Sequence, residues 1–268
     1  MFIGIAGASA QRTEFGIWAG GSTYFGDLNT NTSFRLTKPA TGVYGRINFN
    51  SRISVKVMAA YAQVAGNDAY SGNYYQIHRN LSFTSPILEA SGQLEFNFLD
   101  YSSTNPKFKF SPYFLLGFGV FNFNPSTEYG GSSFKLQPIG TEGQGYPEYA
   151  DKKPYKLTGP FISIGGGFKY RVNKNFSLFL EGAVRKTFTD YLDDVGGVYP
   201  SEIVLLNEGG PLAANLSDRS NQIGGLAVGQ ENKYRADKKK DNYFLFGLGL
   251  SFTINSYKCP FAIPNSEY

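Results

Sequence analysis

"FLFGLGLSFTI", residues 244–254, decides the fold. Its even positions are large and apolar: Phe244, Phe246, Leu248, Leu250, Phe252 and Ile254. Its odd positions from 247 on are small or hydroxylated: Gly247, Gly249, Ser251 and Thr253. Side chains on a strand alternate with period two, so these sets lie on opposite faces. One face is oily and the other is nearly bare.

The same alternation recurs along the chain, and helical periodicity is almost absent. Eight candidate strands follow, at roughly 13–24, 40–49, 52–65, 85–98, 109–123, 158–172, 175–189 and 242–254. Each is long enough to cross a bilayer, which takes about 9–11 tilted residues. Eight is an even number, as single-chain bacterial outer-membrane barrels have.

The other candidates decide which face is which. At 175–189, Phe176, Leu178, Leu180 and Val184 alternate with Ser177, Phe179, Glu181, Ala183 and Arg185. At 85–98, Leu88, Leu94, Phe96 and Phe98 alternate with Glu89, Ser91, Gln93, Glu95 and Asn97. The second face carries glycines, hydroxyls and charges, and cannot form an oily core. Soluble proteins rarely expose an apolar band on this scale. The consistent solution turns the oily face to lipid and the polar face inward, and closure removes the strand edges that hydrocarbon forbids. The predicted fold is an all-β, eight-stranded, antiparallel, up-and-down transmembrane β-barrel with a filled polar interior.

Inward parity assigns an interior charge network: Glu14, Glu89, Glu95 and Glu181 against Arg46, Lys56, Lys169, Arg171 and Arg185. An eight-stranded barrel is just wide enough for side chains to fill it, which predicts a plug of paired charges rather than a pore. Gly117, Gly119, Gly165, Gly167, Gly247 and Gly249 are expected to make room for the long charged side chains opposite. Phe49, Phe98, Phe110, Tyr170, Phe188 and Tyr243 lie near strand ends and suit interfacial aromatic girdles. Lys186 and Gln63 have outward parity near the outer ends of their strands, and the lysine there can snorkel to headgroup phosphates.

The connections alternate in length. Tight turns fall at "NFNSR" (48–52) and "VNKN" (172–175), and a modest one at "DYSSTNPK" (100–107). Those near 25–39, 66–84, 124–157 and 190–241 are long. Short periplasmic turns and long outer loops are the barrel pattern, which puts both termini in the periplasm. Residues 1–10 end in Ala8-Ser9-Ala10 and read as the remnant of a signal peptide. The barrel domain then runs over 11–254, and 255–268 form a periplasmic C-terminal tail.

Other chemistries find little support. The chain of 268 residues carries a net charge of only +4, with scattered carriers, so no nucleic-acid partner is expected. The basic run Lys238-Lys239-Lys240, with Arg235 just before it, reads as a solvated loop. One histidine, His78, and one cysteine, Cys259, are poor material for a metal site or a disulfide. An enzyme would need His78 as base, with Ser71, Ser82 or Asp68 nearby; this is the weakest reading. "GTEGQG" (140–145) lacks the context of a phosphate loop, and "DYLDDV" (190–195) lacks the spacing of a calcium loop. No catalytic residue, metal or cofactor is assigned.

Five blocks carry a resemblance: "YFGDLN" (24–29), "RNLSFTSPILEASGQLEFNF" (79–98), "LQPIGTEGQG" (136–145), "RKTFTDYLDDV" (185–195) and "LSDRS" (216–220). The chain resembles the PorG family, outer-membrane barrel components of the type IX secretion system of Bacteroidota. The resemblance implies anchoring or organising a periplasmic ring of the lipoprotein PorK with PorN, tied in some members to gliding. Only periplasmic segments can reach such a ring. Asp100, Tyr101 and Lys107 of the middle turn, with Tyr257, Phe261, Ile263 and Tyr268 of the tail, are the candidate contacts. Outer-membrane lipid surrounds the barrel, and the outer loops are a rival site for other secretion components. The alternatives are an independent barrel for adhesion or envelope integrity, and a lipid-modifying enzyme.

Overall fold

The computed structural model describes residues 12–101, 109–224, 227–236 and 240–254. Eight long strands form its wall: β1 (Arg12–Phe25), β2 (Lys38–Asn48), β3 (Ile53–Asn67), β4 (Ser82–Asn97), β5 (Phe110–Phe123), β8 (Thr158–Arg171), β9 (Phe176–Thr187) and β10 (Asn242–Ile254). Between β5 and β8, two short strands, β6 (Ser126–Tyr129) and β7 (Ser132–Lys135), make a hairpin that alternation did not signal. Neighbours in the wall pair antiparallel in chain order, and β1 pairs β10 from Thr13↔Ile254 to Phe25↔Asn242. The barrel is therefore closed, eight-stranded and up-and-down, as the sequence predicts.

The sidedness follows the pleat. Ile17, Val57, Leu88, Phe118 and Leu248 are each about 60% exposed on the outside. Glu14, Lys56, Glu95 and Arg185 are almost wholly buried inside. Water would not tolerate that oily band, whereas lipid does. Among the described residues no helix is long and apolar enough to cross a membrane; the strands make the crossing.

Both short turns are built by an asparagine. The Asn50 side-chain oxygen accepts from the backbone N–H groups of Arg52 and Ile53, each at 2.8 Å. The Asn173 oxygen accepts from Asn175 and Phe176, each at 2.9 Å. An Asx turn of this kind replaces the missing backbone bonds of a tight reversal. β1 starts and β10 ends at this short-turn end.

The filling differs from expectation in two ways. The half of the interior nearest the short turns is ionic, but the half nearest the long loops is aromatic, with Tyr24, Phe83, Phe121, Phe123, Phe161 and Tyr243 in one buried cluster. Tyr243 is thus not a girdle residue. Its parity is inward, and its hydroxyl donates to Glu89 at 2.6 Å. Phe49, Phe98, Phe110, Tyr170 and Phe188 do face outward.

The inward glycines yield space chiefly to rings and backbone rather than to charged chains. A Cβ on Gly249 would lie 2.0 Å from the Phe179 ring, and one on Gly119 would lie 2.5 Å from Phe161. Phe179 is itself pinned between Tyr44, edge-on at 5.2 Å, and the cations of Arg46 and Lys56 at 5.2 and 5.5 Å. Gly249→Ala should therefore overpack the lumen and destabilise the barrel by about 1–3 kcal/mol. Guanidinium unfolding in detergent micelles reads this, and an unchanged midpoint would show that Phe179 can yield.

Candidate functional site

Two polar constellations stand out: the ionic plug and the cap formed by the long loops. In the plug, β4 presents Glu95 to three cations. Arg46 from β2 reaches it with Nε at 2.8 Å, Lys169 from β8 with Nζ at 2.5 Å, and Lys56 from β3 with Nζ at 3.3 Å. Arg46 also bonds Glu14 at 2.9 Å, and Lys56 bonds Glu181, which accepts from the Tyr113 hydroxyl at 2.5 Å. Three carboxylates thus meet three cations. Arg185 and Glu89 form a separate pair at 2.9 Å. Arg171 is buried nearer the short turns. Every charge assigned by parity lies inside the barrel.

The candidate partner contacts are divided. Asp100 faces solvent and pairs with Arg52 at 2.7 Å. Tyr101 is buried, with its ring 5.8 Å from the Lys169 ammonium, where it caps the plug. This corrects the expectation of Tyr101 as a contact for a periplasmic partner, since the buried ring offers almost no surface. An aromatic face over a desolvated cation is worth more than exposure at a turn. Lys107, Tyr257, Phe261, Ile263 and Tyr268 lie outside the described residues, as do Cys259, the signal remnant and the tail.

At the other end, two arginines lace four loops together. Arg79, on the short helix Tyr74–Arg79, grips Asp68 through Nε and Nη2 at 2.8 and 2.7 Å. It also donates to the backbone carbonyls of Asp27 and Arg235. Arg235 donates through Nη1 to Glu142 and Thr141, each at 3.1 Å, and to the Asp194 carbonyl at 2.7 Å. Arg235 is 3% exposed, so it is not part of a solvated basic run. Burial leaves an arginine no option but to find carboxylate and carbonyl partners.

The glycine-rich segment proves structural. Gly140, Gly143 and Gly145 take φ of +67°, +83° and +83°, the left-handed region that favours glycine. The turns they make bury Thr141 and Glu142 under Arg235. Glu142 also accepts from the backbone N–H groups of Gly196 and Gly197, at 3.0 and 3.2 Å.

Acids crowd beneath this cap. One oxygen from each of Asp27, Asp190 and Asp241 lies within 4.8 Å of the others. The Tyr24 hydroxyl sits 2.6 Å from Asp193 and 2.8 Å from Asp241, although it has one proton to give. The oxygen-only set would suit a hard cation. Protons also answer its charge: burial, then Asp241 and Asp27, push Asp193 well above the ordinary carboxylate range, and burial does the same to Asp241.

Asp194 accepts from Thr141 at 2.5 Å and from Tyr155 at 2.7 Å, yet burial raises it to about 6. A carboxyl raised in the folded state binds more protons there than unfolded, so stability falls as pH rises between the two values. The cap should be tightest near pH 4 and loosen by roughly 3 kcal/mol towards pH 6 as Asp194 ionises. Asp193 and Asp241 extend the loss to higher pH. Hydrogen exchange of residues 192–195 measures this, and Asp194→Asn should flatten the interval. Protection that rises with pH would contradict it.

No relay forms around His78. Its Nδ1 lies 2.8 Å from the Tyr74 carbonyl and its ring lies tilted against Tyr74, Asp68 is held by Arg79, and Ser71 bonds Gln76. The residues missed by sequence reasoning are those of the cap: Asp68, Arg79, Glu142, Asp194 and Arg235. Arg79, Glu142 and Asp194 carried one signal, charge inside the resembling blocks; Asp68 and Arg235 lie outside all five and carried none.

Several solved barrels are similar in general form. Ail, the attachment invasion locus protein of Yersinia pestis, matches at 11% identity and a TM-score of 0.42, over 92% of this chain and 100% of that one. Neisserial surface protein A matches at 11% and 0.41, over 93% and 100%. The outer membrane protein OprG from Pseudomonas aeruginosa matches at 9% and 0.37, over 93% and 98%. No curated protein matches the sequence. One family does, over residues 1–205, which takes in the first seven wall strands and three of the four long loops. The chain therefore belongs to the family described as a domain of unknown function, DUF6089.

Proposed function

We propose that the protein is an outer-membrane barrel of the type IX secretion machinery, which anchors or organises the periplasmic ring of PorK and PorN. In this reading the short turns and both chain ends face the periplasm, and the cap faces outward. A closed single-chain barrel with an oily outside and an ionic inside is the form that outer membranes use. One observation carries the secretion role. The blocks that resemble the PorG family supply Asp27, Arg79, Glu142, Asp194 and, in the last, Arg219, and these lie in one bonded cap.

The plug supports an anchor rather than a conduit. Purified protein should give no steady channels in planar bilayers, and stable conductance steps would argue for transport instead. Tagged full-length protein, solubilised from membranes in mild detergent, should bring down PorK and PorN. If it inserts normally but recovers neither, the independent envelope barrel becomes the better reading. That alternative draws on the cap being folded and facing away from any periplasmic partner.

A further inference from the structure

Beside the cap lies a groove of about 410 Å3 that the anchor role does not use. Ligand sites commonly measure about 300–1,000 Å3. Its floor continues the outward rows of β3 and β4, which pair Tyr61↔Leu88, Gln63↔Pro86, Ala65↔Thr84 and Asn67↔Ser82. Its far wall is the β6–β7 hairpin, joined to β4 at Thr84↔Ser126.

Its height is informative. Tyr61 and Leu88 are the last exposed apolar pair before the groove. Thr84 lies four residues further along the strand, about 13 Å, or about 10 Å once a strand tilt near 40° is allowed for. The phospholipid headgroup layer adds only about 5–8 Å to each side of the hydrocarbon. The groove thus opens above that layer, at the level of sugars carried by a glycolipid.

The lining agrees. The Thr84 and Ser133 hydroxyls and the Asn67 amide nitrogen make no hydrogen bond among the described residues, while the Asn67 oxygen accepts from Ala69 at 2.8 Å. Ser126 donates to the Thr84 carbonyl at 3.0 Å and keeps its lone pairs. Lys38 and Glu128 set one positive charge against one negative, so the groove has no bias towards a polyanion. Neutral donors and acceptors in alternation suit the hydroxyls of a sugar ring.

We propose that this groove binds the sugar units of an outer-leaflet glycolipid. The placement rests on the outer-membrane reading; the sugar chemistry does not. The test uses the full chain in nanodiscs, with rough-type lipopolysaccharide and its delipidated core oligosaccharide as probes. Thr84→Val with Ser133→Ala should weaken oligosaccharide binding at least 10-fold without changing the melting temperature, and Thr84→Ser should retain it. Binding of both probes assigns recognition to the sugars alone, and binding of the lipid-linked form alone assigns it to the membrane-held glycolipid. Equal binding by the double variant, no binding by the unaltered protein, or displacement by inorganic phosphate overturns the proposal. Membrane fractionation separates the two claims. If the chain lies outside the outer membrane but still binds free oligosaccharide through Thr84 and Ser133, the location falls and the groove stands. The reverse pattern removes the groove alone.

Discussion

Glu95→Gln should destabilise the barrel by about 3–5 kcal/mol, because it removes one partner from a buried ionic cluster. Glu95 answers Arg46, Lys56 and Lys169 at once. The amide keeps the shape but leaves the cluster of three carboxylates and three cations with one uncompensated positive charge. Guanidinium titration in micelles should show a lower midpoint at unchanged slope. Lys169→Met in the Glu95→Gln background restores the balance, so the pair should cost less than the sum of the single changes. A midpoint within about 0.5 kcal/mol of the original, the size of a surface change, would show that water enters and screens the plug.

Arg235→Ala should have the second large effect, confined to the cap. It takes the cation away from Glu142, 3.1 Å off, and from Asp194, 4.0 Å off, both nearly unexposed, and frees the loop of residues 124–157 from that around Asp194. A buried carboxylate without its cation costs about 3–5 kcal/mol, here met by local opening rather than by loss of the barrel. Trypsin cleavage after the exposed Lys156 should accelerate at least 10-fold, while denaturation of the strands is unaltered. Equal cleavage rates would mean that the loops hold together without the arginine.

The wall was legible because sheet geometry fixes where each side chain points. Once 244–254 is read with period two, Glu95, Arg46 and Lys56 have no direction but inward. The cap was not legible because loops obey no such rule. Arg235 meets Glu142 across 93 positions of sequence. The neighbours Asp193 and Asp194 part company, one to Tyr24 and the other to Thr141 and Tyr155. Tyr243 was legible by the same rule, since its parity in β10 is inward; Tyr101 was not, because it lies beyond the end of β4, and its buried ring closes the lumen.

The seam where β1 meets β10 has a consequence for biogenesis. Its two strands lie at opposite ends of the chain and share 13 paired positions. Until the last of them is synthesised, the other seven strands present two bare edges that hydrocarbon cannot accommodate. Residues 188–241 must also reach the far side of the membrane before β10 can dock. Insertion of a partly zipped sheet is therefore unfavourable. A chain truncated before residue 242 should accumulate as an unassembled, protease-sensitive precursor rather than as a smaller barrel.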